Sequence, residues 1–79
     1  AVLAPLDAHD QQHGTELVQT LSAFLNHTAN IEAAAQELGI HRHTMRSRLR
    51  RITELTGRSF TESEELFELW LASELRALG

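Results

Sequence analysis

Residues 31 to 52 read IEAAAQELGIHRHTMRSRLRRI, two stretches of helical periodicity parted by a single glycine. In the first, Ile31, Ala34, Ala35 and Leu38 fall on one face; Gly39 interrupts it, and the second begins within three residues. A connection that short forces the two segments into contact. Ala34 and Ala35 supply the small side chains that allow another helix to approach closely, so a bulky replacement such as Ala35→Leu should push the pair apart. Asn30 stands where a side-chain oxygen can accept a free backbone N–H. Gly39 stands where helices end in a residue of positive φ, which only glycine adopts without steric cost. The expectation is a helix-turn-helix with Gly39, Ile40 and His41 as its turn.

The second helix of the pair is expected over residues 42–55, ended by Gly57. Advancing 100° per residue from Met45 places Met45, Leu49, Ile52 and Thr56 within about 60° of arc, the side that faces a core. His43, Arg46, Ser47 and Arg50 project away from it, with Thr44 and Arg51 on their flank. Arg48 lies at the edge of the apolar arc, where its stem should pack and its head should pair with an acid. The whole chain carries a formal charge of −4, but residues 41–58 hold six of its seven Arg against one acid, Glu54, giving +5 locally and −9 elsewhere. Fields between exposed charges fade over about 8 Å at physiological salt, so the near surface decides which partner is attracted. That surface suits a polyanion.

No strand is expected, since period-two alternation is absent and 3.6-type spacing recurs throughout. The fold class is all-α, a small bundle of four or five helices containing the helix-turn-helix. Residues 1–14 form a short helix or an ordered lead-in, with Pro5 near its start and Leu3 and Leu6 able to dock on a core. After Gly14, Thr15 is the expected cap of a helix over 16–26, whose Leu17, Val18, Leu21, Phe24 and Leu25 share one face. Thr61 and Glu64 have the spacing of a capping box, and the Glu-rich turn that follows favours a helix over 62–78. Leu66, Phe67, Trp70, Leu71, Leu75 and Leu78 make its apolar stripe, Leu69 widens it, and Phe60 plugs the space before it. Such breadth predicts core packing first and contact with a partner subunit second.

At 79 residues the chain makes one small domain, and a chain of this size buries only about 60% of the surface exposed when unfolded. It has no Cys, so its core must hold without disulfides or thiolate ligands, as suits a reducing cytoplasmic setting. No apolar run spans a bilayer and no leader pattern is present. The opening residue is Ala1 rather than Met, and we expect a C-terminal portion of something longer.

The segment AAAQELGIHRHTMRSRLRRI resembles the Fis-like class of helix-turn-helix. Over a longer span, LVQTLSAFLNHTANIEAAAQELGIHRHTMRSRLRRITELTG with the following ELFELWLAS resembles the C-terminal DNA-binding domain of PucR/CdaR-type transcription regulators. The likeness runs from about Leu3 to Leu78. His43 departs from it, since the family often has Asn there, which bears on base preference and not on the fold. The resemblance implies a larger regulator with upstream sensory or regulatory domains, acting on double-stranded DNA as a homodimer or higher oligomer, often as an activator of catabolic genes. Arg42, His43, Arg46, Ser47 and Arg50 match the base-facing positions of the motif, with Thr44 and Arg51 as phosphate contacts. Arg suits such a role because its planar fork donates two parallel hydrogen bonds to guanine, worth roughly 1–3 kcal/mol of discrimination.

Other chemistries find less support. His9 with His13 and His41 with His43 have ligand-like spacings, but they lie in different segments and zinc wants three or four ligands, so no metal site is expected. His41 is better placed to cap or abut the second helix, and His27 is expected at an exposed helix end. No nucleophile sits beside a base, no phosphate loop is present, and the length leaves little room for a closed pocket, so neither an enzyme nor a cofactor or small-molecule site is expected. The alternative of another class is a protein-interaction or dimerisation module that uses the Arg face and the Trp70 helix.

Overall fold

A computed structural model describes all 79 residues, as five helices: α1 (Ala4–His13), α2 (Leu17–Asn26), α3 (Ile31–Leu38), α4 (Arg42–Thr56) and α5 (Ser63–Leu78). Helix α2 is the shared layer. It packs against each of the other four, whereas the α5 backbone comes close to no helix but α2 and reaches α1 through the Arg76–Asp7 pair. Leu6, Leu21, Met45 and Ile52 are fully buried where α1, α2 and α4 converge, and the wholly buried Ala34 brings α3 against them.

The opening residues are a true helix. Leu3 and Leu6 are buried, and Pro5 occupies its first turn, where the missing N–H removes nothing. The start of α2 is capped differently from the sequence expectation. Thr15 does not cap it; its hydroxyl donates to the Asp10 carboxylate, which itself accepts the N–H groups of Leu17 at 2.8 Å and Val18 at 3.1 Å. A carboxylate with two oxygens satisfies two free amides where one hydroxyl satisfies one. Asp10 therefore fastens α1 to α2.

The helix-turn-helix forms as its sequence requires. The Ala33 N–H donates to Asn30 Oδ1 at 3.0 Å, and Gly39 ends α3 with φ 69°. Ala34 and Ala35 are both buried. At the start of α4, His41 Nδ1 accepts the His43 N–H at 3.0 Å, so His41 is the cap. Met45, Leu49 and Ile52 face inward, and Thr56 turns its hydroxyl back onto the Ile52 carbonyl at 2.8 Å.

Helix α5 departs from expectation twice. No capping box forms at Thr61 and Glu64: Glu62 takes the cap position without a side-chain bond. The Thr61 hydroxyl is engaged by Ser59, and Glu65 Oε1 accepts the Ser59 N–H at 2.6 Å. The apolar stripe also faces the other way. Leu69 is fully buried, while Phe67, Trp70, Leu71, Leu75 and Leu78 are exposed. Phe60 does fill its place, meeting Phe24 edge to face at 4.9 Å between ring centroids.

Candidate nucleic-acid interface

Everything that positions the Arg face follows from the burial of its opposite side. With Met45, Leu49 and Ile52 locked in the core, 100° of rotation per residue aims the intervening residues outward. Arg42, His43, Thr44, Arg46, Ser47, Arg50 and Arg51 are all exposed, so α4 brings every residue expected at the site onto one accessible ridge. The Arg-bearing segment is longer than α4. Arg58 lies beyond it and is turned to Glu68 at 3.3 Å.

The guanidinium groups of α4 divide by partner. Arg42 reaches Glu32 of α3 at 3.5 Å and Arg51 reaches Glu54 at 3.3 Å. Both are exposed pairs, each worth about 0–1 kcal/mol, so either Arg is readily given up to a stronger anion. Arg48 does not pair with an acid as its position suggested; its Nη1 donates to Thr20 Oγ1 at 3.2 Å. Thr20 is wholly buried and its hydroxyl donates to the Glu16 carbonyl, which leaves its lone pairs free for the Arg48 head. Arg46 and Arg50 have no ion pair or hydrogen bond within the protein. They are the cations with most to gain from an outside acceptor. His41 and His43 stack at 4.9 Å and 16° at the start of the ridge.

Alongside α4 runs an open cleft of about 300 Å³, shared by Ser47, Arg48, Arg50 and Arg51 with His9, Thr15 and Leu17 of the α1–α2 corner. Sequence reasoning missed this second wall. His9 and Thr15 lie more than thirty residues from Arg48, Arg50 and Arg51, and no spacing rule joins them. The corner is held by the Asp10 bonds. Burial alone would raise the Asp10 carboxyl, but the donors on it, Thr15, Leu17 and Val18, with His9 nearby, hold it below the usual aspartate range. Asp10 thus stays an anionic acceptor throughout ordinary conditions. No three His, Cys, Asp or Glu side chains are arranged so that they could hold a metal ion.

Comparison with known proteins places this sequence in a family. The profile of the PucR C-terminal helix-turn-helix domain matches residues 17–75. The chain is 47% identical over 58 residues to the transcriptional activator PmfR of Paenarthrobacter nicotinovorans, covering 73% of this chain and 12% of that protein. It is 35% identical over 69 residues to the proline-responsive transcriptional activator PutR of Bacillus subtilis, covering 87% of this chain and 17% of that protein. An uncharacterized protein of Mycobacterium tuberculosis is 40% identical over 66 residues, covering 84% of this chain and 16% of that protein. The chain thus spans less than a fifth of the length of these relatives. No solved structure matches it.

Proposed function

This chain belongs to the PucR C-terminal helix-turn-helix family, and on that premise we propose that it is the DNA-reading output domain of a larger transcription regulator. It is a regulatory domain and not an enzyme. Helix α4 enters the major groove of double-stranded DNA while α3 supports it from behind. The observation that carries this reading is the pair Arg46 and Arg50, exposed four residues apart on the α4 ridge with no partner of their own. They address guanine edges, with Arg42, His43 and Ser47 as further base-facing residues. Thr44 and Arg51 hold the phosphates.

The rest of the proposal follows from the size of the contact. One helix covers a few base pairs, and useful specificity takes two copies on half-sites about 34 Å apart. The full-length regulator is therefore a homodimer or higher oligomer, and the exposed apolar side of α5 is available for contact with a second copy. No helix of the chain is long and apolar enough to cross a membrane. We place the regulator in the cytoplasm with its DNA, as an activator of catabolic genes, with this domain at its C-terminal end.

Selection of bound sequences from a randomised duplex pool tests the base assignment. Arg50→Ala should lower specific affinity by about 1–3 kcal/mol and relax one base position, whereas Arg51→Ala should weaken all sequences alike. Equal loss at every site in Arg50→Ala would move that residue to the phosphates. A protein-interaction module would instead show no steep logarithmic fall of duplex affinity with salt, and that result would overturn the reading.

A further inference from the structure

The cleft beside α4 contains a hydrogen-bond chain whose direction can be fixed. Thr15 has one hydroxyl proton, and it goes to Asp10 Oδ1, because an ionised carboxylate only accepts. The contact of 3.0 Å between His9 Nδ1 and Thr15 Oγ1 must then run the other way, with His9 Nδ1–H donating to the hydroxyl oxygen. This settles which ring nitrogen is protonated. With its one proton on Nδ1, a neutral imidazole leaves Nε2 as a bare acceptor, which repels a phosphate oxygen. Only the imidazolium donates from both nitrogens.

His9 shares its cleft with Arg48, Arg50 and Arg51 against a single acid, Glu54. Arg48 is committed to Thr20 and Arg51 leans on Glu54, so Arg50 is the unpaired charge of that wall. Because Arg51 lines this cleft, a phosphate taken by Arg51 from a groove-bound duplex would sit at its mouth, facing His9.

We propose that His9 is a proton-linked phosphate clamp: duplex binding draws a proton onto the imidazole, and Nε2–H then donates to a backbone phosphate held on its other side by Arg51. The inference rests on the DNA-reading role of α4. In the free chain, the Arg48, Arg50 and Arg51 guanidinium groups oppose a further positive charge at His9, as does His13 when it is protonated, its ring 4.6 Å away. Asp10, through Thr15, and Glu54 favour that charge. A phosphate entering the cleft neutralises the opposing set and tips the balance.

Duplex affinity measured by fluorescence anisotropy at pH 8 and pH 6, at several salt concentrations, tests this. The parent chain should bind about fivefold more tightly at pH 6, the order expected of one partly exposed charge-assisted contact, with a salt slope steeper by about one. His41 and His43 also stand at the start of α4, so any share of the increment that is theirs is read from His41→Gln and His43→Gln and survives in His9→Gln. In His9→Gln the remaining increment and the extra slope should vanish, with pH 8 affinity within about twofold of the parent. His9→Lys, with a fixed charge, should bind more tightly than the parent at pH 8 and respond less to pH. A His9→Gln protein that binds duplex with the parent's full pH increment and slope overturns the clamp while leaving the α4 reading intact. A parent chain that binds duplex at neither pH overturns both.

Discussion

Helices α4 and α5 have nearly the same length, fifteen and sixteen residues, and they divide polar from apolar in opposite senses. In α4 the apolar arc goes inward and the charged arc outward, the ordinary arrangement for a helix on a core. In α5 the inner side is fastened largely by polar groups. Arg76 donates to both oxygens of Asp7 at 2.8 and 2.6 Å, Ser73 meets Ser22 at 3.2 Å, and Leu69 is the sole buried side chain. Outside remain Phe67 at 57% exposure, Leu75 at 58% and Leu78 at 85%, with the Phe67 and Trp70 rings stacked at 5.9 Å. What decides between the two outcomes is the neighbour. Helix α4 packs on α1, α2 and α3, but α5 packs on one side of α2 and is otherwise tied to α1 by the Asp7–Arg76 pair. A single helix cannot cover an arc as wide as the one α5 presents.

The largest effects should come from the two inward anchors. Met45→Ala and Leu69→Ala each remove a fully buried side chain and should lower unfolding free energy by about 2–5 kcal/mol in urea titrations. The comparison is sharpened by where the loss appears. Met45 sits among three helices, so its truncation should weaken protection of α1 through α4 together. Leu69→Ala should expose the amides of α5 to hydrogen exchange well before the others. Full retention of α5 protection in Leu69→Ala would mean that the Asp7–Arg76 and Ser22–Ser73 ties hold the helix by themselves.

A middle-sized effect belongs to α2, the layer that both helices share. Asp10→Ala frees the Leu17 and Val18 amides and should cost about 1 kcal/mol, as the loss of a helix cap does. The sign with pH follows from the depressed carboxyl. The folded state holds Asp10 ionised more firmly than the unfolded chain does, so the stabilisation is complete above the ordinary aspartate value of about 4 and is lost as pH falls through the lower folded value. Thermal melts of parent and Asp10→Ala should therefore differ most at neutral pH and converge in acid. A gap that persists unchanged at pH 2 would show that the carboxylate charge is not what caps α2.

Local chemistry was legible in the sequence and distant chemistry was not. Asn30 and Gly39 act on backbone within four residues, and each does what its type dictates. The outward fan of α4 followed from Met45, Leu49 and Ile52 alone. Where expectation failed, a partner from elsewhere in the chain had intervened. Asp10 took over the cap from Thr15 across seven residues. Thr20 took the Arg48 head from twenty-eight residues away. At α5, Glu65 and Ser59 disposed of the capping box that Thr61 and Glu64 spell out. Periodicity likewise found the apolar residues of α5 but could not say which arc α2 would cover.

The smallest effect is the one that separates the two helices most cleanly. Leu75→Gln changes a side chain that is 58% exposed on α5, so the new amide stays in water and stability should shift by no more than about 0.5 kcal/mol. Because α5 makes no packing contact with α4, duplex affinity of the single domain should stay as it was. The same polarity change at Leu49, almost fully buried on the inner side of α4, would strand a buried amide and cost several times more. Equilibrium unfolding of the two variants side by side decides it. A loss above about 1 kcal/mol in Leu75→Gln would place that residue in the core and make α5 an ordinary helix, its apolar stripe facing in like that of α4.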